Sequence, residues 1–361
     1  MKIVKAEVIP LHIPFSDGGS GQGLMPTAWN ALHMALLRLE TEDGIVGWGE
    51  GFCYFHRDTV ATAIREMIVP LIVGETVEDI PAFMRSVQKR LHLFGRYGVT
   101  MFAISALDIA LWDLAAKRRN LPLAEIIGGI KRDSFPVYAS LVRYGDAKLV
   151  EKFARKAVDE GYAAVKLHEI TLETIAAGRR GAGNALLSTD VNCNWSMQEA
   201  EDLLPRLKEL DLYWVEEPVF PPDDATILAD LQTRFGISIA SGENACTAVE
   251  FARIAPAIRF PQPSVTKVGG ITEFLDCCRV VEQAGSVVMP HCPYFGPGYW
   301  ATAHLMAAKP ETEMFEFLYI EPDAWLDPDI PLAKHGMISL PDRPGLGFTP
   351  DPDLLERFRV G

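Results

Sequence analysis

The chain has 361 residues, with 34 Lys plus Arg against 48 Asp plus Glu and a formal charge of -14. That balance disfavours a nucleic-acid partner and attraction to an anionic bilayer, although a local pocket can carry the opposite sign. Hydrophobic residues make up 48% and charged residues 23%, so there is apolar material for a large core and no compositional case for disorder.

The opening MKIVKAEVIPLHIPF carries early charges and a proline after its first apolar run, unlike an export signal. No uninterrupted apolar stretch approaches the roughly 20 residues of a membrane-crossing helix. The expected location is cytoplasmic, with no membrane partner. Six scattered cysteines without a CxxC pair read as reduced thiols in a chain of this length.

In chain order, IVKAEVIPLHI, HMALLRLE and GIVGWGE predict the strands of an opening sheet. From about Thr59 to Leu121 the apolar positions recur every three or four residues and predict helices, ending in FAISALDIALWDLAAKR. Asp108 and Asp113 within that last helix read as structural carboxylates. A joint follows near residues 125 to 135. Candidate strands then end near Ser140, His168, Asp190, Glu216, Glu243, Lys267, His291 and Glu316, at intervals of 22 to 28 residues. Each interval holds a strand, a helix and two connections, so eight ends predict a barrel, with a doubly wound sheet as the alternative.

Strand ends of a barrel converge on one mouth, which turns this register into chemistry. Asp190, Glu216 and Glu243 end successive strands and offer hard oxygen ligands suited to Mg²⁺, with Mn²⁺ as substitute. Solvated acids would be ordinary in so acidic a chain, but their shared register favours the metal. In AVKLHE, Lys166 and His168 share a strand face by the period of two, and form a candidate acid/base pair. Lys267 and His291 supply opposing bases from the sixth and seventh strand ends, and Ser264 supports the pocket or bonds structurally. Asn192 orients a ligand or makes an Asx-turn. Glu316 binds a substrate hydroxyl, orients His291 or forms a structural salt bridge. In the first domain, SDGGSGQGLMPTAW and GFCYFHRD are the segments expected to close over the mouth. There His56 and Arg57 are candidates for a second carboxylate or a hydroxyl, and Trp29, Phe52 and Tyr54 read as packing or pocket wall. Tyr144 is a further candidate for polar recognition. No GxGxxG or Walker sequence asks for a nucleotide cofactor.

Together, AISALDIALWDLAAK, AVKLHE, DVNCNW, WVEEP, SGEN, TKVGGI, MPHCP and FEF resemble the enolase superfamily, particularly its mandelate racemase and muconate lactonizing group, over nearly the whole chain. The resemblance implies an α/β fold: an α+β capping domain over 1–128, a modified TIM barrel of the (β/α)7β type over 129–320, and a C-terminal segment, 321–361, that completes the cap. It also implies Mg²⁺ at Asp190, Glu216 and Glu243, a small-molecule carboxylate substrate, an enolate intermediate and a homo-oligomer. Two positions depart from the family pattern. The frequent KxK pair stands here as Lys166-Leu167-His168, and the aspartate that often orients an opposing histidine is replaced by Ser264. Lys267 is then the favoured opposing base and His291 an acid or substrate ligand, with exchange of those roles open. The expected reaction is dehydration of a hydroxy acid or acid sugar. Racemisation, epimerisation or cycloisomerisation through the same intermediate are the enzymatic alternatives, and a noncatalytic acid-binding barrel is the alternative of another class.

Overall fold

The structure, a computed structural model, describes residues 1–19, 29–309 and 312–361. Residues 20–28 of the first expected closing segment lie outside the described residues.

Strands β1 (Ile3–Ser16), β2 (Ala31–Thr41) and β3 (Val46–Gly51) form an antiparallel sheet. β2 and β3 are joined by a tight turn in which Gly44, at φ +80°, returns its N–H to the Thr41 carbonyl. β3 reads VGWGEG, and its period of two puts Gly47, Gly49 and Gly51 on one face. That face lies directly on a helix backbone: a Cβ at position 49 would sit 1.8 Å from the Ala106 carbonyl oxygen.

The helices of the first domain are α1 (Arg57–Ala63), continued by a π turn at Ile64–Ile68 into α2 (Val69–Ile72), then α3 (Ile80–Arg90), α4 (Gly98–Arg118) and α5 (Leu123–Ile127). Asp79 caps α3 by accepting from the Ala82 N–H, and Pro81 occupies its first turn. α4 is long and apolar enough to cross a membrane by length and composition alone, but 78% of that window is buried within the protein. Its polar residues act as bolts. Ser105 accepts from the Gly269 N–H at 2.8 Å, Asp108 from the Thr272 N–H at 3.0 Å, and Asp113 from the N–H groups of Trp48 and Leu346 at 2.9 and 2.8 Å. Asp108 and Asp113 are structural, as expected, chiefly through long-range bonds, and Asp113 also pairs locally with Lys117 at 2.7 Å.

The barrel alternates β4 (Ser134–Ser140), α6 (Ala147–Asp159), β5 (Ala164–Leu167), α7 (Leu172–Ala182), β6 (Leu186–Asp190), α8 (Met197–Lys208), β7 (Leu212–Glu216), α9 (Ala225–Phe235), β8 (Ile239–Ser241), α10 (Ala248–Ile254), β9 (Phe260–Pro261), α11 (Ile271–Gln283), α12 (Pro297–Ala308) and β10 (Phe315–Leu318). The strands pair in parallel in the order β10-β4-β5-β6-β7-β8-β9. The gap between β9 and β10 is filled by residues 287–291, whose alternate N–H groups donate to the carbonyls of Arg259, Pro261 and Pro263. This is the expected seventh strand, bonded regularly on one side only. The helices start where the sequence places cap residues: Asp146, Thr171, Ser196, Asp224 and Thr247 each accept from first-turn N–H groups. Each such cap stabilises its helix by about 1 kcal/mol. Apolar stripes such as Val150, Phe153, Ala154 and Ala157 then seat the helices on the sheet.

After β10 the chain touches both sheets. β11 (Glu321–Pro322) pairs with β1, β12 (Met337–Ser339) runs antiparallel to β4, and the residues after α13 (Pro352–Phe358) return to β1 through a bond from the Val360 N–H to the Pro10 carbonyl.

Candidate active site

The C-terminal ends of the barrel strands deliver the polar residues to one mouth. Alternation along β5 turns Lys166 inward with His168 just beyond the strand, and Asp190 and Glu216 are the last residues of β6 and β7. Glu243 follows β8 after Gly242, whose φ of +109° turns the chain inward. Lys267 is not on a strand: β9 stops at Pro261, and a turn closed by the Lys267 and Val268 N–H groups on the Ser264 carbonyl, each at 2.9 Å, carries the side chain to the mouth.

One carboxylate oxygen from each of Asp190, Glu216 and Glu243 lies within 4.8 Å of the others. Lys166 Nζ donates to Glu216 Oε1 at 2.8 Å and lies 3.0 Å from Glu316 Oε1 and 3.6 Å from Asp190 Oδ2. His168 Nε2 stands 3.4 Å from Asp190 Oδ2, and its Nδ1 contacts the Leu141 carbonyl. On the other flank, Lys267 Nζ donates to Asn244 Oδ1 at 3.0 Å and Glu243 Oε1 at 3.3 Å, while His291 Nε2 is 3.1 Å from Glu243 Oε2. The carboxylate triad is thus bracketed, with one lysine and one histidine against Asp190 and another such pair against Glu243.

Buried in so many charges, the carboxylates diverge. Burial and the charge of Asp190 push Glu216 well above the usual carboxylate range, against the pull of Lys166. Burial acts the same way on Asp190, yet Lys166 and His168 outweigh it and hold Asp190 low. Burial likewise opposes ionisation of Glu243, and Lys267 with His291 overcomes it. Three such groups resist joint ionisation without a cation among them. Among the described residues Asp190 Oδ2 is also buried without a well-formed hydrogen bond, its nearest donor being His168 Nε2 at 3.4 Å, and all three ligand groups offer hard oxygens. The residues therefore fit Mg²⁺, which would be held by Asp190, Glu216 and Glu243.

A cavity of about 360 Å³ opens above these groups. Its barrel side includes His168, Asp190, Asn192, Glu243, Lys267, His291 and Glu316; its other wall is aromatic, from Trp29, Phe52, Tyr54 and Phe55 of the first domain. Asn192 takes φ +44° beside the triad, where its N–H donates to Asp190 Oδ1 and its Oδ1 accepts from Arg143 at 3.0 Å. Glu316 lines the cavity while accepting from Ser140 Oγ and the Cys292 N–H, each at 2.8 Å.

Six expected residues lie outside the cavity lining: Lys166 and Glu216, buried and bonded to each other behind it, and four that stand elsewhere. Ser264 Oγ bonds to the Tyr294 hydroxyl at 3.1 Å, and Tyr294 donates to the His291 carbonyl; the His291 ring keeps a buried Nδ1 with no partner. Tyr144 donates to the Asp17 carbonyl at 3.1 Å and stacks on Phe153. His56 is exposed, and Arg57 faces Asp58 at 3.3 Å at the start of α1. Sequence reasoning missed Trp214, whose Nε1 donates to Glu216 Oε2 at 2.9 Å. Its signal was present, since Trp214 precedes Glu216 by two residues and must share its face.

Residues 24–128 match the mandelate racemase / muconate lactonizing enzyme N-terminal domain, and residues 149–354 match the enolase C-terminal domain-like family. The 3,6-anhydro-alpha-L-galactonate cycloisomerase of Streptomyces coelicolor is 30% identical, covering 98% of this chain and 97% of that one. The arabinonate dehydratase of Saccharolobus solfataricus is 29% identical, with 92% of each chain covered. A racemase from Streptomyces coelicolor solved with bound magnesium superimposes with a TM-score of 0.88 at 28% identity, covering 99% of this chain and 100% of that one. Triad and relatives together support Mg²⁺ as cofactor, a small carboxylate substrate and metal-assisted, enolate-based catalysis by a lyase or isomerase. With both domains matched and the barrel-mouth triad assembled, this chain is a member of the enolase superfamily, in its mandelate racemase/muconate lactonizing enzyme group.

Proposed function

We propose that the protein dehydrates an acid sugar. Mg²⁺ bound at the triad supplies the positive charge that stabilises the negative charge developing on the substrate carboxylate as the α-proton leaves. Lys267, in its amine form, takes that proton from one face. The carbon–oxygen bond at the β position then breaks, with a histidine proton from His168 or His291 leaving on the departing water, and the enol product settles to a 2-keto acid. Lys166 holds positive charge between Glu216 and Glu316 beside the substrate carboxylate. The observation that carries the reading is the bracketing of the triad by the two lysine–histidine pairs. A substrate carbon held at the triad would then have a proton donor or acceptor on each side.

A second reading, cycloisomerisation, is favoured by the relative of that activity and by the four-ring aromatic wall, which suits the apolar face of a cyclic acid. The test is incubation with Mg²⁺ and a panel of aldonic and anhydro-aldonic acids in deuterium oxide. Dehydration predicts a 2-keto acid with one water lost. Cycloisomerisation predicts an isomer with no water lost and one solvent deuterium on carbon, and racemisation predicts α-deuterium in unreacted skeleton. Absence of both Mg²⁺-dependent product formation and α-proton exchange across the panel rejects all three.

A further inference from the structure

We propose that Phe52 is a positioning residue for Lys267, its ring face fixing the lysine nitrogen against Glu243 and Asn244; this rests on the reading of Lys267 as the group that acts at the α-carbon. Phe52 belongs to the first domain and follows β3 directly, yet its backbone N–H donates to the Thr266 carbonyl at 3.3 Å, beside Lys267 in the chain. Its ring centroid lies 4.1 Å from Lys267 Nζ and 6.5 Å from the His291 ring. The ammonium has three donors. Two point to Asn244 Oδ1 and Glu243 Oε1, and the aromatic face meets the nitrogen from another side. Lys267 is 1% exposed, so bulk water does not compete for that face. A flexible four-carbon stem held only by two oxygens would sample other rotamers; a ring quadrupole over the nitrogen adds a directional third restraint.

The arrangement is referenced to one helix. α4 carries the β3 glycine face on its backbone and, through Ser105 and Asp108, bonds Gly269 just after Lys267 and Thr272 in the first turn of α11. Phe52 and Lys267 are therefore both anchored to α4. An aliphatic side chain of similar size would still exclude water but would not attract the cation, which makes the ring's contribution separable from packing.

The experiment compares Phe52→Leu with Phe52→Tyr in the Mg²⁺-loaded protein, on the aldonic or anhydro-aldonic acid that the wild type converts or exchanges fastest. Phe52→Leu is expected to lower kcat on the order of tenfold, equivalent to about 1.4 kcal/mol. Phe52→Tyr, which keeps the ring face, should lose less of kcat than Phe52→Leu, whatever change in KM either variant brings as part of the cavity wall. A loss confined to KM, or an equal loss in Phe52→Tyr, overturns the proposal. A second readout needs no substrate. In protein with isotope-labelled lysine, the Lys267 ε-methylene signal, assigned by its disappearance in Lys267→Gln, should be shifted upfield by the ring and return to the ordinary position in Phe52→Leu. An unshifted wild-type signal, or one unmoved by Phe52→Leu, overturns the placement. If the wild type neither converts nor exchanges any acid, the functional reading falls, and the lysine signal still decides the placement.

Discussion

Glu50 Oε2 accepts a hydrogen bond of 2.9 Å from the Gly298 N–H, joining β3 to the first turn of α12 across 248 residues of chain. Burial pushes the Glu50 carboxyl up to about 7 from 4.5, and the Gly298 N–H opposes it. A raised folded value means the folded state binds the extra proton. Its stabilising share is full below about 4.5 and lost as pH rises through about 7. At about 1.4 kcal/mol per pH unit the whole interval is worth about 3 kcal/mol. The N-terminus of α12 favours the anion, which makes this an upper figure. Melting curves of Glu50→Gln and wild type should meet near pH 4.5 and separate as pH rises to about 8, with the variant the more stable. Parallel curves reject this account.

His304 governs the acid side. The Ala124 N–H donates to His304 Nδ1 at 3.1 Å, so Nε2 carries the hydrogen and donates to the Leu346 carbonyl at 2.9 Å. Burial pushes this imidazole down to about 4 from 6.5, against the Leu346 bond. A depressed value gives stability that is present above about 6.5 and lost as pH falls through about 4, again about 3 kcal/mol at most. Protonating Nδ1 would also break the Ala124 bond. His304→Gln should flatten urea-unfolding stability over that window while lowering it near pH 7 by about 1 to 2 kcal/mol for imperfect hydrogen bonding. An unchanged slope counts against His304 as the source.

Gly49→Ala tests the contact between β3 and α4. The added Cβ would meet backbone rather than a side chain that could rotate away, at Ala106. We expect a loss of about 2 kcal/mol or more, with a fall in urea midpoint. Gly44→Ala, which meets nothing within 4 Å and changes only the turn, should cost about 1 kcal/mol. Equal losses would mean that the close approach is not the cause.

Metal removal should be visible without substrate. Mg²⁺ at about 100 times its dissociation constant should stabilise the protein by about 2.7 kcal/mol, and chelation should reverse the shift. Asp190→Asn removes one charge and the oxygen that lacks a well-formed hydrogen bond, and should abolish the Mg²⁺-dependent rise in melting temperature. A full rise in that variant would place the ion elsewhere.

The barrel and its triad were legible in the sequence because strand alternation and regular intervals are local signals, and polar residues interrupt them only where strands reach the mouth. Asp190 and Glu216 are such interruptions. Lys267 was assigned to the correct mouth on the wrong element, since its strand ends six residues earlier at Pro261 and a turn makes up the distance. That GFCYFHRD closes over the mouth and that Phe52 and Tyr54 wall the pocket was legible, but which barrel group each meets was not. Phe52 and Lys267 stand 215 positions apart, and their meeting depends on how β3 lies on α4, which no local period encodes. His56 and Arg57 sit beside the aromatic wall residues in sequence, but the helix beginning at Arg57 carries them away from the cavity.

The bare glycine face of β3 has a mechanical consequence. Side chains between two packed elements act as a compressible layer, absorbing small errors by changing rotamer. Between β3 and α4 no such layer exists at Gly49, so the strand is registered on the helix to the tolerance of atoms in contact. Glu50 and Phe52, carried on and just after this strand, inherit that tolerance. The first domain thus meets the barrel as a rigid gauge block rather than a cushion, and its aromatic wall is held at a set height above the carboxylates.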